Sequence, residues 1–390
     1  QLIQNNMSSN VLSGKDKSKA LDLFKNMKKQ DEYEIAFNNF RKDNPLGLGK
    51  FMSILKYLKW RSEKSKVKLE SSTTLDVSYN YMGNNSYRVT INGLSDINNF
   101  LNLVHNRKNH IIFSILMGKV VNDKDVNFTL MNKIKSRETT IDILDYDIRI
   151  RKSAEETVPD KKIKELSDLN VSEESKISYR FKQRVSYVFL EDKKVRGSVD
   201  LTVVMSNSDV NKIKSSSKNY ELEIDFTKKT DSISSKYFDI LDKEVSRIKK
   251  FLQGSDELYS NKSKVDLIGS YNKKVYGIDS VKFKYLYSMN VVSTQVVHIL
   301  DKIPTSYSVT DKTDGERYSL YILNDEVWLI SNNLEPLKTN MKIKNLNGTV
   351  LEGELVYLEK ENKYLFMIFD CSFLKDEEVS NELLLKNRIE

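Results

Sequence analysis

The stretch YELEIDF, Tyr220–Phe226, alternates without a break. Tyr220, Leu222, Ile224 and Phe226 fall on one side, and Glu221, Glu223 and Asp225 on the other. Alternation with a period of two marks a half-buried β-strand. Polar sides that face water normally mix charges of both signs. Three acids and no base are a different pattern, because like charges side by side are unfavourable unless something offsets them. EYEIAF (Glu32–Phe37) repeats the pattern in short form, with Glu32 and Glu34 opposite Tyr33, Ile35 and Phe37.

Five more segments alternate in the same way. LDVSYNY sets Asp76, Ser78 and Asn80 opposite Leu75, Val77, Tyr79 and Tyr81, and YRVTIN sets Arg88 and Thr90 opposite Tyr87, Val89 and Ile91. DYDIRIR carries Asp147, Arg149 and Arg151 on one side, and VDLTVV carries Asp200 and Thr202. YRFKQRVSY places Arg180, Lys182, Arg184 and Ser186 in consecutive positions of one side. Taken singly, each strand reads as an ordinary sheet with charges in solvent. Seven together, two purely acidic and one basic, are better explained by a closed antiparallel barrel with its charges inside. There the acids hold a cation, and the cation and the bases hold a polyanion. Apolar outer faces then need a jacket of helices. KSKALDLFKNMK (Lys17–Lys28), PLGLGKFMSILKYLKW (Pro45–Trp60) and YFDILDKEVSRIKKFLQ have the spacing for one.

The 390 residues allow two or three domains. We expect a flexible tail over 1–16, a barrel domain over 17–255, a linker near Gly254–Lys264 and a second β-rich domain over 263–390. Lys+Arg 63 against Asp+Glu 55 leaves a net charge of +8, which suits a polyanionic partner. Cys371 is the only cysteine and there are three histidines. An internal disulfide and a Cys/His zinc module are therefore excluded. A metal would sit on carboxylates, which points to Mg²⁺ or Mn²⁺. No secretory signal is visible, and the apolar run IIFSIL is far short of a membrane span, so no membrane partner and a cytoplasmic location are expected. The chain opens at Gln1 rather than methionine, which suggests a fragment or a processed product.

DKTDGERYSL (Asp311–Leu320) crowds acid and base around Gly315 and runs directly into a strand-like segment. A lysine amine attacks phosphorus only when neutral, and at its ordinary pKa of about 10.4 that is rare at pH 7. Nearby cations and burial correct this. Gly315 lets a nucleotide approach the backbone closely, and Arg317 supplies fixed donors. Standing alone, KTDG is also an ordinary hairpin turn.

Downstream, TVLEGELVYLEKENKYLFMIFDCSF contains a strand with Glu-Gly-Glu, a hairpin at EKENK and an apolar strand ending in Phe-Asp. These resemble motifs III and IIIa of the covalent nucleotidyltransferases, the superfamily of mRNA capping guanylyltransferases and ATP-dependent ligases. KTDGER resembles their motif I, Lys-x-Asp-Gly-x-Arg. The first half then resembles the triphosphate tunnel metalloenzymes: EYEIAF and YELEIDF are similar to their two Glu-x-Glu strands, and FKQRVS and VDLTVV to their basic strand and its successor. A tunnel followed by a guanylyltransferase is the order in capping enzymes of large cytoplasmic DNA viruses and of yeast linear plasmids. Ala36 departs from the family, many members of which carry a base there.

The resemblance implies an α+β chain: an antiparallel barrel jacketed by helices, then a partial nucleotidyltransferase domain with an ATP-grasp-like antiparallel sheet. Glu32, Glu34, Glu221, Glu223 and Asp225 would hold Mg²⁺ or Mn²⁺. Arg149, Arg151, Lys182 and Arg184 would grip the phosphates, with Asp200 orienting groups in the tunnel and Arg88 a further candidate. Lys312 would carry GMP from GTP; Arg317 and Glu354 would contact the ribose, Phe369 or Phe366 would stack on guanine, and Asp370 would serve the metal, beside Asp314 and Gly315. The substrates would be 5′-triphosphate RNA and GTP. The family's later motifs do not follow within the sequence, so a longer parent with a methyltransferase domain or subunit is expected. The location would be the cytoplasm or the virion. Two alternatives stay open: an ATP-dependent polynucleotide ligase, and a transferase remnant that only binds nucleotide or a partner beside an active triphosphatase.

Overall fold

The computed structural model describes residues 10–29, 31–38, 46–81, 85–122, 127–133, 139–167, 177–230, 232–281, 295–301, 314–380 and 388. Lys312 and Pro45 lie outside them. The chain divides into two compact units, Asn10–Ile248 and one that runs on from Lys249. The division falls inside a helix, Lys236–Gln253.

Among the described residues the first unit is built on nine strands: β1 (Asp31–Phe37), β2 (Leu69–Tyr81), β3 (Asn85–Asn92), β4 (Phe128–Lys133), β5 (Thr139–Ile143), β6 (Ile148–Thr157), β7 (Ile177–Glu191), β8 (Val195–Asn207) and β9 (Lys218–Lys228). They follow the order β1-β9-β8-β7-β2-β3-β4-β6, and β6 returns to pair with β1. Eight strands thus close into a ring, and β5 lies alongside the first half of β6. Eight strands give an interior just wide enough for side chains or one small ligand.

The apolar sides read from the sequence face outward and are buried. Tyr33, Ile35 and Phe37 of β1 and Leu222, Ile224 and Phe226 of β9 have essentially no exposure. The jacket over them includes α1 (Gly14–Lys25), α2 (Leu48–Ser65), α3 (Leu94–Val104), α4 (Asn109–Asn122), α5 (Asp160–Ser167) and α6 (Lys236–Gln253). Phe24 of α1 sits with ring centroids 5.6 Å from Tyr33, 5.0 Å from Phe226 and 5.4 Å from Phe238 of α6. On the other side, Phe100, Ile112, Phe113 and Leu116 of α3 and α4 pack with Leu75, Val77, Val89 and Ile91.

Three sequence expectations need correction. The tail expected over 1–16 is packed from residue 10 onward: Val11 and Leu12 are buried, and the Val11 amide donates to Ser246 Oγ at 3.0 Å. DYDIRIR is a strand only from Ile148. Leu144–Tyr146 form a 3-10 turn, and Asp147 takes a left-handed φ of 51°, which Asp tolerates better than most residues. The linker near Gly254–Lys264 is not a free tether. Leu258 and Tyr259 are buried, Ser255 Oγ donates to the Lys338 carbonyl at 2.8 Å and Tyr259 Oη to the Pro336 carbonyl at 2.9 Å. Its polar groups satisfy sheet carbonyls rather than water.

Among its described residues the second unit has α7 (Asn261–Tyr276), α8 (Val296–Asp301) and six antiparallel strands: β10 (Glu316–Leu323), β11 (Glu326–Ser331), β12 (Pro336–Lys342), β13 (Val350–Leu358), β14 (Lys363–Leu374) and β15 (Glu377–Glu378), in the order β12-β11-β10-β13-β14-β15. Ser260 caps α7 by accepting from the Ser263 amide. Leu267, Ile268 and Tyr271 of α7 then bury Tyr321, Trp328, Ile330 and Phe373 on one sheet face. The antiparallel sheet expected for this half is present.

Candidate active site

Strand register decides what meets inside the ring. In β1 and β9, Glu34 stands opposite Asp225, and Ala36 opposite Glu223. In β8, Asp200 stands opposite Glu223 and Thr202 opposite Glu221. In β7, Arg184 stands opposite Thr202 and Ser186 opposite Asp200. Both acidic strands are therefore neighbours, and the basic strand lies two strands beyond β9, across β8.

Arg184 is the hub. Its Nη1 lies 2.9 Å from Asp200 Oδ2 and 3.4 Å from Asp225 Oδ2, its Nη2 3.9 Å from Glu223 Oε2, and its Nε donates to Thr202 Oγ1 at 3.1 Å. Burial pushes the Glu223 carboxyl up, and Glu34 and Glu221 beside it push further, to about 8. Burial, with Asp200 and Glu223 nearby, also raises Asp225 well above the ordinary range. Arg184 thus faces more carboxyl groups than one guanidinium can pair with.

The other bases are each tied to an acid. Arg180 Nη2 bonds Glu221 at 2.8 and 3.1 Å, and Arg151 Nη2 lies 3.1 Å from Glu34 Oε1. Lys182 forms an ion pair with Asp76, which also accepts from Thr90 Oγ1 at 2.8 Å. Burial pushes Asp76 up, but Lys182 and Arg88 outweigh it and hold the carboxyl below its usual value. Arg149 makes a two-pronged pair with Asp142 of β5, at 2.7 and 2.9 Å. Glu32 is the exposed member of the set. A cavity of about 310 Å³ opens into this region, lined by Arg184, Asp200, Asp225 and the hydroxyls of Ser72, Ser186 and Ser198.

The donor set fits a hard divalent cation. It is all carboxylate, burial and the neighbouring acids have raised two of its pKa values, and the buried Asp200 Oδ1 has no hydrogen-bond partner among the described residues. Among the described residues no three acids converge into a ready-made cluster, because Glu34 and Glu221 are turned to Arg151 and Arg180.

In the second unit, Arg317 of β10 reaches across to β13. Its register partner is Glu354, yet its Nη2 bonds Glu352 Oε2 at 2.5 Å. Glu352 Oε1 accepts from Ser372 Oγ at 2.9 Å. Phe369 lies under the guanidinium, 5.5 Å from ring centroid to Cζ. Asp370 is held by Arg388 at 2.9 and 3.2 Å. Gly353 has no room for a side chain: a Cβ there would stand 2.6 Å from the Met367 carbonyl oxygen. Asp314 and Gly315 lead directly into β10, and a Cβ on Gly315 would stand 2.8 Å from the Leu355 carbonyl oxygen.

Across its whole length the chain is 26% identical, over 396 residues, to the probable mRNA-capping enzyme of Acanthamoeba polyphaga mimivirus. The chain is similar to a viral mRNA-capping enzyme. It spans about a third (32%) of that relative's length. Among solved structures, the RNA triphosphatase domain of a trifunctional mimivirus mRNA capping enzyme aligns at a TM-score of 0.49 and 22% identity, covering 63% of this chain and 99% of that one. The S. pombe Pct1 RNA triphosphatase, solved with the Spt5 CTD, aligns at 0.33 and 11%, covering 65% and 95%. No family model matches the chain.

Sequence reasoning gave no role to Arg180, Asp76, Glu352 or Arg388. Arg180 and Asp76 were visible as inward positions of alternating strands, and Glu352 as the first acid of Glu-Gly-Glu. Arg388 carries no signal in the sequence, since its partner is set by folding alone.

Proposed function

We propose that the first unit is an RNA triphosphatase and the second a guanylyltransferase, together making the first two steps of an mRNA cap. The observation that carries the first is the closed ring in which Glu34, Glu223 and Asp225 stand on paired strands around Arg184. Arg184, Lys182 and Arg151 bind the phosphates of 5′-triphosphate RNA, with Arg149 and Arg88 as further bases. Asp200 orients Arg184, and Asp76 orients Lys182. Water attacks the γ-phosphorus, the bond to the β–γ bridging oxygen breaks, and the arginines take up the charge that grows on the leaving diphosphate. Glu32, Glu34, Glu221, Glu223 and Asp225 would hold Mg²⁺ or Mn²⁺, which when bound polarises a phosphoryl oxygen.

The test is phosphate release from triphosphate-ended RNA. Glu32→Ala or Glu223→Ala should lower the rate by about 10²–10³. Wild-type turnover in both folded variants would overturn the assignment.

Support for the second activity is the ordered set Lys312, Asp314-Gly315, Arg317, Glu354 and Phe369-Asp370, with Arg317 over the Phe369 ring. Lys312 attacks the α-phosphorus of GTP, pyrophosphate leaves, and the phosphoramidate splits one difficult transfer into two easier ones. Incubation with labelled GTP should leave acid-labile label on the chain, and Lys312→Arg should abolish it, since guanidinium does not deprotonate. Label from ATP but not GTP would mean a ligase.

A further inference from the structure

The segment Leu48–Lys68 carries six lysines and Arg61 against Glu63 alone. That surplus of six stands beside a net charge of +8 for the whole chain. Within α2, Phe51, Ile54 and Leu58 turn inward and are buried. Lys56, Lys59, Trp60 and Lys64 lie on the opposite, exposed side. Trp60 is 54% exposed, and its ring stacks on Tyr57 with centroids 6.2 Å apart and planes at 19°. Lys66 and Lys68, also exposed, continue the basic run into β2.

The C-terminal part of the helix is anchored beside residues that line the tunnel cavity. Arg61 pairs with the buried Glu244 of α6 and lies 4.6 Å from the Tyr187 ring centroid. Ser65 Oγ is 3.1 Å from Tyr187 Oη. Tyr187 follows Ser186, and Lys68 precedes Leu69 and Glu70; Ser186 and Glu70 both line the tunnel cavity. A basic track with one large exposed aromatic ring therefore runs up to Glu70, which lines the cavity.

We propose that this outer face of α2 is the docking track for the single-stranded RNA that trails the 5′-triphosphate. The proposal rests on the reading of the first unit as an RNA triphosphatase. Lysines spaced along a rigid helix neutralise backbone phosphates whatever the sequence, and Trp60 offers a π-face to a base. An acidic protein surface would use the charge but has no need of an exposed, stacked indole.

The test compares three probes on the chain: a 5′-hydroxyl single-stranded RNA, the same RNA with a 5′-triphosphate, and a nucleoside triphosphate. Trp60→Ala should weaken binding of both RNAs about tenfold, and Trp60→Phe should recover most of it. Replacing Lys56, Lys59 and Lys64 together by alanine should flatten the log–log salt dependence by about 2, at roughly 0.7 per phosphate contact. Hydrolysis of the nucleoside triphosphate should stay at the wild-type rate in every variant, which also reports that the fold is intact. Unchanged RNA affinity in both the Trp60→Ala and triple-lysine proteins overturns the proposal. Binding of 5′-hydroxyl RNA that depends on α2, in a chain that hydrolyses no triphosphate, would overturn the triphosphatase reading and keep the RNA track.

Discussion

Arg184 Nη1 lies 2.9 Å from Asp200 Oδ2, and the same nitrogen is 3.4 Å from Asp225 Oδ2. One guanidinium thus spans β7, β8 and β9 and holds apart carboxylates that would otherwise repel. A lysine at this position keeps the charge but offers one point instead of a planar fork. Arg184→Lys should therefore lose phosphate release by about 10²-fold, with a Tm close to that of the wild type. Arg184→Ala should lose both. Equal Tm values for the Ala and Lys variants would mean that Arg184 does not neutralise the cluster.

The crowded acids make a pH prediction. Glu223 titrates near 4.5 in an unfolded chain and at about 8 in this fold. Between those values the folded chain keeps a proton that the unfolded chain has released, so stability falls as pH rises through this window and levels off above it. Asp225 shifts in the same direction. Thermal unfolding without divalent cation should show a Tm that declines from about pH 5 to pH 8, and Glu223→Gln should flatten the decline. Added Mg²⁺ should raise the Tm most at the alkaline end, where the carboxylates are free of protons. A Tm that rises across the window would contradict the crowding.

The tunnel was legible because inward and outward residues alternate along each strand, and charge patterns such as Glu221, Glu223 and Asp225 survive in one dimension. The closed barrel was expected, but not which strands close it, because the pairing of β1 with both β9 and β6 joins residues far apart in sequence. Helix α4 was missed for a different reason. Ile112, Phe113, Leu116 and Met117 are buried on one side, but Ile111, Ile115, Val120 and Val121 make the other sides apolar as well, and a helix apolar on most sides loses the stripe that announces it. In the second unit the motif residues were legible, but not the pair that Arg317 makes with Glu352. The β10–β13 register is regular there, and Glu352 lies two residues from Glu354 on the same side of β13, so no spacing rule foretells which acid the arginine meets.

Glu244 offers a test of how α2 is held. It is 2% exposed and bonds Arg61 at 3.1 Å and Arg247 at 2.7 Å. Removing one partner from such a cluster leaves the remaining charge buried without compensation, at a cost of about 3–5 kcal/mol. Urea unfolding of Glu244→Ala should show a loss of this size in the transition of the first unit. A loss within about 0.5 kcal/mol, as for an ordinary surface residue, would show that water takes over the contact.

Glu352 should act through Arg317 rather than on nucleotide. It is 7% exposed, with one oxygen on Arg317 and the other on Ser372. Glu352→Ala leaves the guanidinium without its anchor and Ser372 without its acceptor, and should cost about 1–3 kcal/mol. Glu352→Gln keeps one acceptor oxygen, so it should recover part of that stability. If Arg317 is poised for nucleotide by this pair, Glu352→Ala should also weaken GTP binding, measured by calorimetry, and Glu352→Gln should weaken it less. GTP affinity that is unchanged in Glu352→Ala while its stability drops would make the pair purely structural. Affinity lost equally in the Ala and Gln proteins would mean that the charge of Glu352, not its hold on Arg317 and Ser372, is what the nucleotide site needs.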